Sequence, residues 1–478
     1  MPIAKCVDSA QGYVQPVLRK TRTTFKAAPM AKARKRNVAT TPFRRLLLNA
    51  VWLLGGKGFG AVCSLVYLAI LTRTLGLKDF GHFSLIFGTS QALIAFVGFQ
   101  SWQTVVRYGA QHVHGARWEA FGRLAMLAGM LDVIGAVIGS AIAWLAFYQF
   151  ADVLDINVSL IDTAFWFNIA ALWALVSAPT GIVRALDRFE VSTYVEALVP
   201  SGRLLSALFI MWTGPSLERF LLAWALIDIA EAIAYWIAAR VLCPEAVRLS
   251  HLRHLGQTLE ENPGVVGFSA TNYASTTIDA AYRFGPLLIV GYVAGTRAAG
   301  VFRLAQQVAQ GLSKFSTILS RSAYTEISRT RASTGESEYR RLLLQTTGVA
   351  VAGSAVVMTL VLLFGRQMMD LLGGAAFAEG YRALIPLTLA ACFGLAALAF
   401  EPMLHVAGKP SRVLAARVAA VCATAAALAI LLPRQGIEGA AWSVALGGAT
   451  NFLVLGLLAS LTLRTRKAGS RTQAQEAG

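Results

Sequence analysis

The chain has 478 residues, of which 56% are hydrophobic and only 14% are charged, and its formal net charge is +18. Its mean hydropathy is +0.57. A soluble domain carries about a quarter of its residues as charged side chains, so this composition excludes a soluble protein. Apolar stretches of about 20 residues recur along the sequence and predict an all-α integral membrane protein. The five cysteines are widely spaced without a CxxC pair, which argues against disulfides and a metal site.

Residues 1–45 form a basic tail, with eleven Lys or Arg against a single acid, Asp8. We interpret this tail as a disordered cytoplasmic segment that attracts anionic lipid, rather than as a nucleic-acid-binding arm. No apolar segment follows closely enough for a cleaved secretory signal. Met30 precedes its own basic cluster. A further hypothesis is therefore that translation begins at Met30 and that the first 29 residues are dispensable.

The predicted helices divide into an N-terminal six-helix lobe (46–240), a cytoplasmic linker (241–263), a C-terminal six-helix lobe (264–463) and a cytoplasmic tail (464–478). An even number of helices in each half makes the lobes parallel repeats about an axis along the membrane normal. Thirty basic residues fall on the side of the N-terminus and seven on the other, so the positive-inside rule places both termini in the cytoplasm. The twelve predicted helices lie near 46–72, 81–101, 121–149, 160–184, 191–213, 218–240, 264–294, 300–321, 342–364, 381–407, 411–432 and 438–463.

A repeated motif supports the division into two related halves. In both copies a long apolar segment precedes the first glycine and another follows the second. This pattern predicts a tight glycine turn between two membrane helices, used once in each half, which is typical of transporters. The repeated residues are Gly76, Gly81, Phe83 and Leu85, which recur 219 positions later as Gly295, Gly300, Phe302 and Leu304.

Several motifs together resemble the polysaccharide transporter branch of the multidrug/oligosaccharidyl-lipid/polysaccharide (MOP) exporter superfamily, which includes O-antigen and exopolysaccharide flippases. These motifs are LTRTLGLKDFGHFSL, APTGIVRALDRFE, AGVFRLAQQVAQGL, AYTEIS, LLGGAAFAEGYRALIPLTLAA and GIEGAAWSVAL. The resemblance implies a MOP/MATE-like fold and a transporter that moves lipid-linked sugars from the inner to the outer leaflet.

Three cations within predicted helices are the candidate substrate-binding residues, because an ionisable group at the bilayer centre costs roughly 2.5–3.5 kcal/mol unless it is sheltered. They are Lys57 in the glycine-rich segment GGKGFG, Arg203 and Arg283. We expect them to converge on a central cavity and bind a diphosphate. The alternative is that each cation neutralises a local acid, Arg203 with Glu196 and Arg283 with Asp279.

Four acids within helices are candidates for ion coupling, namely Asp228, Glu231, Glu196 and Asp279. Asp228 and Glu231 share a helix face at a spacing of three. Two carboxylates so close cannot both be ionised cheaply, so one of them is expected to have a raised pKa or a cationic partner. The pair is the leading candidate for ion coupling. A purely structural pairing with Arg203 is the alternative interpretation.

The remaining polar residues receive smaller roles. Arg303 is predicted to lie at the membrane interface. Lys314, His405 and Arg417 lie nearer the helix ends, and their side chains are predicted to extend to the interface. Gly56 and Gly60, at the GxxxG spacing, are predicted to form one edge of a slot for a lipid tail. Asp132 and Glu401 complete the ionisable set. The candidate sugar-binding aromatics are Trp166, Trp173, Tyr194, Tyr273 and Tyr282.

The predicted function is a flippase that moves a polyprenyl-diphosphate-linked oligosaccharide across the bacterial inner membrane, by alternating access, for O-antigen, capsule or exopolysaccharide synthesis. Its expected partners are this lipid-linked glycan, membrane lipids and a polysaccharide polymerase or glycosyltransferases, but not nucleic acid. The sequence contains no GxxxxGK[ST] motif, so we expect no ATP hydrolysis by this chain and no cofactor. Two alternatives remain open: an ion-coupled multidrug/cation antiporter of the same superfamily, and a polytopic glycosyltransferase or polymerase.

Overall fold

The computed structural model describes residues 42–149, 157–330, 336–397, 400, 401, 404 and 410–476, with side chains at 58–149, 157–314, 347–397, 400, 401, 404 and 411–462. The basic tail and the proposed start at Met30 lie outside these residues. The described residues are almost entirely helical. The helices are α1 (Pro42–Val97), α2 (Ser101–His114), α3 (Trp118–Trp144), α4 (Ile161–Trp173), α5 (Ser177–Ala185), α6 (Phe189–Thr213), α7 (Leu217–Leu242), α8 (Leu255–Glu261), α9 (Val265–Thr330), α10 (Glu336–Gly373), α11 (Tyr381–Ala397) and α12 (Pro410–Glu476).

Within the described residues, nine helical segments are long and apolar enough to cross a membrane. Three of these segments, Gly58–His114, Val265–Lys314 and Ser411–Thr462, contain 57, 50 and 52 residues. About 20 residues suffice for one crossing, so each of the three is long enough for two. The predicted all-α membrane fold is confirmed. The count of twelve crossings, their orientation and the boundaries of the lobes stay predictions.

A glycine with positive φ interrupts each of the three long segments. Gly76 has φ 71° and ψ −176°, and Gly295 has φ 83° and ψ 174°. Gly436 has φ 58°. Residues with a Cβ atom rarely adopt this conformation, which explains why glycine occupies each break. The predicted glycine turns at Gly76 and Gly295 therefore exist and have nearly the same backbone geometry.

The two copies of the motif pack directly against each other. A methyl group added at Gly300 would lie 3.1 Å from the Cα atom of Gly81 and 3.2 Å from the carbonyl oxygen of Leu77. One added at Gly81 would overlap the carbonyl group of Thr296. Thr296 lies 219 positions after Leu77, as Gly300 does after Gly81. The contact is therefore reciprocal, and only residues without a side chain allow the backbones to come this close.

We call residues 58–242 the N-terminal half and residues 265–462 the C-terminal half. Beside the glycine contact, Thr72 Oγ1 donates a hydrogen bond to the Leu372 carbonyl at 2.6 Å, and Arg73 donates to the Leu371 carbonyl at 2.7 Å. The rings of Phe80 and Phe377 meet edge to face, with centroids 5.7 Å apart. The halves are thus firmly joined at this end, which we call the glycine-turn end.

At the opposite end, α8 and the start of α9 contact α2 and α3 of the N-terminal half. His112 Nε2 and Asn262 Oδ1 are 2.9 Å apart, and Arg123 is paired with Glu261. Further into α9, the Tyr273 hydroxyl donates to the Phe96 carbonyl at 2.8 Å. The first turns of α9 are therefore bound to the N-terminal half, although the sequence assigns them to the C-terminal lobe.

Candidate functional site

Two arginines from opposite halves of the chain share one aromatic ring. The guanidinium carbon of Arg203, on α6, lies 5.3 Å from the centroid of Phe87, and that of Arg303, on α9, lies 5.7 Å from it. Cations are attracted to the face of an aromatic ring at such distances. Phe87 thereby lets two like charges approach each other in the interior of the helical bundle.

Arg283 joins this pair from the preceding part of α9. Both Arg283 and Arg203 are close enough to Arg303 for their positive charges to repel it. Arg283 and Arg303 form no ion pair with any described acid, and Gln306 donates only to the backbone carbonyl of Arg283, at 3.3 Å. We call Arg203, Arg283 and Arg303 with Phe87 the arginine site.

Asp228 on α7 is the one described acid paired with an arginine of this site. Its Oδ1 atom accepts a hydrogen bond from Arg203 at 2.7 Å, and only 11% of the Arg203 side chain and 15% of the Asp228 side chain are exposed. Three guanidinium groups against one paired carboxylate give the site a positive excess. Such a site attracts anions, and guanidinium groups bind phosphate oxygens through paired hydrogen bonds.

Aromatic rings surround the Arg203 guanidinium. Trp224 lies 5.6 Å from it, and the rings of Tyr67 and Phe83 meet Trp224 edge to face at 5.4 Å and 5.8 Å. None of these aromatics is among the sugar-binding candidates predicted from the sequence. Their positions are adjacent to an arginine only in the folded chain, so helix spacing alone does not reveal them.

The three predicted cations have different outcomes. Arg203 and Arg283 both belong to the arginine site, whereas the side chain of Lys57 lies outside the described residues. The prediction that Arg303 is interfacial is wrong. Arg303 follows the Gly295 break by eight residues, which places it about 12 Å along the helix from that break. Its guanidinium group contacts Phe87 of the N-terminal half, so the side chain points into the bundle and not towards the membrane surface that the sequence predicts.

The predicted pairing of Arg203 with Glu196 is also wrong. Glu196 Oε1 accepts hydrogen bonds from Arg184 at 2.7 Å and from Ser192 at 3.0 Å. Seven residues of helix place Arg203 and Glu196 on one face, but two turns apart, about 10 Å along the axis. Arg184 on α5 pairs with Glu196 instead, and Asp228 on α7 pairs with Arg203.

An acidic cavity of about 350 Å³ lies beside this network within the N-terminal half. Its lining includes Glu196, Glu231, Tyr235, Arg184 and Asp132. Glu231 forms no ion pair with a described residue, unlike its neighbour Asp228. The predicted acid pair is thus divided: one carboxylate neutralises Arg203, while the other faces a cavity that can hold a small cation or a proton.

Asp132 has a structural role that the sequence did not indicate. Its Oδ1 atom accepts a hydrogen bond from Ser101 at 2.7 Å, and its Oδ2 atom accepts one from the Ala178 amide at 2.8 Å. Ala178 lies in the first turn of α5, where the amides are free and the helix dipole favours a negative charge. Asp132 therefore connects α2, α3 and α5.

A second charged cluster lies in the C-terminal half. Arg417 on α12 donates to Asp279 at 2.6 Å and to Glu401 at 3.1 Å, beside a cavity of about 100 Å³ that Tyr282 and Asn451 also line. Hence Asp279 does not pair with Arg283. The alternative pairing of Asp279 with Arg283 is wrong because α12, more than a hundred residues away in sequence, brings a guanidinium group nearer to Asp279 than its own helix does. That Arg417 reaches the membrane interface stays a prediction.

Most of the predicted sugar-binding aromatics lie away from the arginine site. Trp166 is 65% exposed and Tyr194 is 78% exposed. Trp173 donates to Ser140 at 3.1 Å, and Tyr282 donates to the Val444 carbonyl at 3.2 Å. These exposures and contacts suit packing and the surface of a membrane protein, where tryptophan and tyrosine are common. Their predicted role in sugar binding stays a prediction.

Other predicted positions lie partly outside the described residues. His405 lies outside the described residues, and so do the side chains of residues 42–57, which include the neighbours of Gly56. The predicted lipid slot along the first helix therefore stays a prediction. Gly60 is described, and a methyl group added to it would lie 3.5 Å from the ring of Pro200 on α6. Among the described residues, no group of three His, Cys, Asp or Glu side chains is placed to hold a metal ion.

The fold is similar to those of solved membrane transporters. An inward-facing multidrug resistance MATE family transporter of the MOP superfamily matches with a TM-score of 0.67 at 14% identity, covering 86% of this chain and 96% of that one. The lipid II flippase MurJ, in an inward closed conformation, matches with a TM-score of 0.67 at 10% identity, covering 85% and 86%. These matches show that the chain has the helical membrane fold shared by the MATE transporter and MurJ.

The family is more specific. The chain belongs to the polysaccharide biosynthesis protein family, whose model matches residues 46–331. The chain is also similar to an Escherichia coli (strain K12) protein, inner membrane protein YghQ, with 26% identity over 349 residues that cover 71% of this chain and 95% of the relative. The resemblance drawn from the sequence motifs is therefore confirmed.

Proposed function

We propose that this chain is a flippase of the bacterial inner membrane that moves a polyprenyl-diphosphate-linked oligosaccharide to the outer leaflet for the synthesis of surface polysaccharide. The observation that carries this proposal is the arginine site, where Arg283 and Arg303 have no acid partner among the described residues. Unpaired guanidinium groups are costly in a membrane interior unless an anion neutralises them during function. A diphosphate carries the charge and the oxygen geometry that such groups bind.

The position of the arginine site suits alternating access. Arg203 comes from the N-terminal half, and Arg283 and Arg303 come from the C-terminal half. The halves are joined at the glycine-turn end, and α9 begins bound to the N-terminal half. Gly285 and Pro286 lie in α9 two and three residues after Arg283, and proline permits a helix to bend because it removes a backbone hydrogen bond. Rocking of the halves would therefore change the geometry around the bound diphosphate.

The acidic cavity supplies a route for energy coupling in this proposal. Glu231 faces the cavity without an ion-pair partner among the described residues, one turn of helix from Asp228. Binding of a proton or sodium ion at Glu231 would change the charge next to the Arg203–Asp228 pair. That change would in turn alter how strongly Arg203 is held away from the diphosphate.

The same cavity is the observation that favours the alternative, a multidrug/cation antiporter. A cationic substrate could be neutralised by Glu231, whereas Glu196 is already paired with Arg184. The arginine site opposes this alternative, because its positive excess repels a cation entering between the halves. The polytopic glycosyltransferase or polymerase has no observation in its favour here.

Purified protein in liposomes distinguishes the two functions. The lipid carrier is a polyprenyl diphosphate bearing an oligosaccharide with a fluorescent nitrobenzoxadiazole group, which external dithionite quenches once the sugar reaches the outer leaflet. The proposal expects wild-type protein to raise the quenched fraction and Arg283→Gln to lower the rate, with no export of ethidium. Ethidium transport without movement of the labelled glycan would establish the antiporter instead.

A further inference from the structure

A second polar cavity lies at the glycine-turn end, apart from the arginine site. Its volume is about 700 Å³, within the range of pockets that hold small organic ligands. It lies almost wholly within the C-terminal half, with Leu77 as its lining residue from the N-terminal half. Its charged lining residues are Arg297, Arg366, Arg382, Glu379 and Glu438, and Tyr381 lines it as well.

The glycine breaks create this cavity. Gly295 turns the chain just before Arg297, and Gly374, with φ 83°, begins the short helix Ala375–Gly380 that carries Glu379. Gly436 interrupts α12 between two further lining positions. Three reversals of the chain thus surround one space, and polar side chains from otherwise separate helices face it together.

The charges around the cavity are only partly satisfied. Arg382 and Glu438 are paired at 3.5 Å. The side chains of Arg297, Arg366 and Glu379 form no ion pair or hydrogen bond with the described residues. The predicted topology leaves only seven basic residues on the outer side of the membrane, and three of them line this cavity. Scattered cations for solubility would not gather in this way.

We infer that this cavity binds an acidic oligosaccharide, through Arg297 and Arg366 to its carboxylate or phosphate groups and through Glu379 and Glu438 to its hydroxyl groups. Guanidinium groups suit planar carboxylates, and carboxylate side chains accept hydrogen bonds from hydroxyls. The ring of Tyr381 offers an apolar face to a sugar. The inference rests on the proposed function, since it makes the cavity a binding site for the glycan on the releasing side.

The connection to transport lies at the glycine contact. Leu77 lines the cavity, and its carbonyl also lies against Gly300. When the halves separate at the glycine-turn end, the wall that Leu77 provides must move, and the cavity then opens towards the space between the halves. Glycan leaving the arginine site would enter it directly.

Binding of soluble sugars to the full chain in lipid nanodiscs tests this inference without any transport. The probes are a trimer of galacturonic acid and the neutral trisaccharide maltotriose, measured by isothermal titration calorimetry. We expect wild-type protein to bind the acidic trimer more tightly than maltotriose. Because each lost charge-assisted hydrogen bond weakens binding about tenfold, R297Q/R366Q should bind the acidic trimer at least about tenfold more weakly.

Two controls separate the inference from the proposed function. Arg434→Gln removes an exposed cation at the same end that does not line the cavity, and it should leave binding unchanged. Arg283→Gln should slow movement of the lipid-linked glycan while leaving binding of the acidic trimer intact. No binding by wild-type protein, equal weakening by Arg434→Gln, or loss of trimer binding only in Arg283→Gln would each overturn the inference. None of these outcomes affects the dithionite result for the lipid-linked substrate.

Discussion

Arg203 donates its short hydrogen bond to Asp228, and not to Glu196 on its own helix. The pair divides the acids of α7 into two functions. Asp228 holds a guanidinium group in place near Phe87, whereas Glu231 stays free of ion pairs with described residues and faces the acidic cavity. Structure and ion coupling can therefore be altered separately in this half of the chain.

Breaking the Arg203–Asp228 pair should destabilise the protein. Removing one partner of a buried pair costs about 3–5 kcal/mol, because the other charge is left uncompensated. We expect Asp228→Leu and Arg203→Leu each to lower the thermal unfolding midpoint in detergent, and the double variant to recover most of the loss. A double variant that unfolds as early as the worse single variant would contradict a mutual pairing.

Removing the Glu231 charge should act on coupling and leave stability unchanged. Glu231→Gln keeps the side-chain volume and breaks no ion pair with a described residue, so the unfolding midpoint should match that of wild type. Transport in liposomes should lose its dependence on an imposed proton or sodium gradient. Glu190→Gln, an exposed acid at the start of α6, is the matched control. Persisting gradient dependence in Glu231→Gln would assign coupling elsewhere.

Arg283 should be required in its own right. Arg283→Gln and Arg303→Gln should each slow glycan movement about tenfold, the effect of losing one charge-assisted hydrogen bond. Asp279→Ala should not restore Arg283→Ala, because Asp279 is paired with Arg417. Arg240→Gln, an exposed arginine at the end of α7, should transport normally. Recovery in the Arg283→Ala/Asp279→Ala variant would mean that Arg283 serves only to neutralise Asp279.

A methyl group at Gly81 should separate the halves at the glycine-turn end. Because it would overlap the carbonyl group of Thr296, Gly81→Ala cannot keep the present contact. In a cysteine-free background with Lys78→Cys and Glu379→Cys, spin labels should report a longer distance when Gly81→Ala is present. Gly267→Ala, at a position with no atom within 4 Å of the added methyl, should leave the distance unchanged. An unchanged distance in Gly81→Ala would show that the contact tolerates a side chain.

The predicted orientation has a direct test. Glu379→Cys lies at the glycine-turn end and Arg253→Cys at the opposite end, and both side chains are exposed. A maleimide that cannot cross membranes should label Glu379→Cys in intact cells and Arg253→Cys only after lysis. The reverse pattern, in protein that is correctly inserted, would invert the topology.

The glycine turns and the buried charges can be predicted from the sequence because both are local features. A glycine between two apolar segments requires no knowledge of distant residues, and an ionisable group in a membrane helix is conspicuous by its cost. Gly76, Gly295, Arg203 and Arg283 were identified on those grounds. The distance of Arg303 from the end of its helix predicts an interfacial position, but it carries no information about Phe87, which belongs to another helix.

Charge partners were harder to predict, since they depend on which helices become neighbours. Arg417 and Asp279 are 138 positions apart, and no helical spacing relates them. Helical spacing instead favoured Asp279 with Arg283, which is feasible in an isolated helix. Packing brought a different guanidinium group nearer. Pairing rules for single helices therefore give candidate partners, and tertiary contacts choose among them.

The reciprocal contact of Gly81 with Thr296 and of Gly300 with Leu77 has the pattern of a two-fold dimer interface, in which residue i meets j and j meets i. A shorter ancestral chain with one copy of the motif would have carried both surfaces and could have paired with itself. Gene duplication and fusion would then have joined the two subunits. After fusion each half could change independently. The N-terminal half would then have acquired acids that face a cavity, and the C-terminal half an arginine shared by two carboxylates.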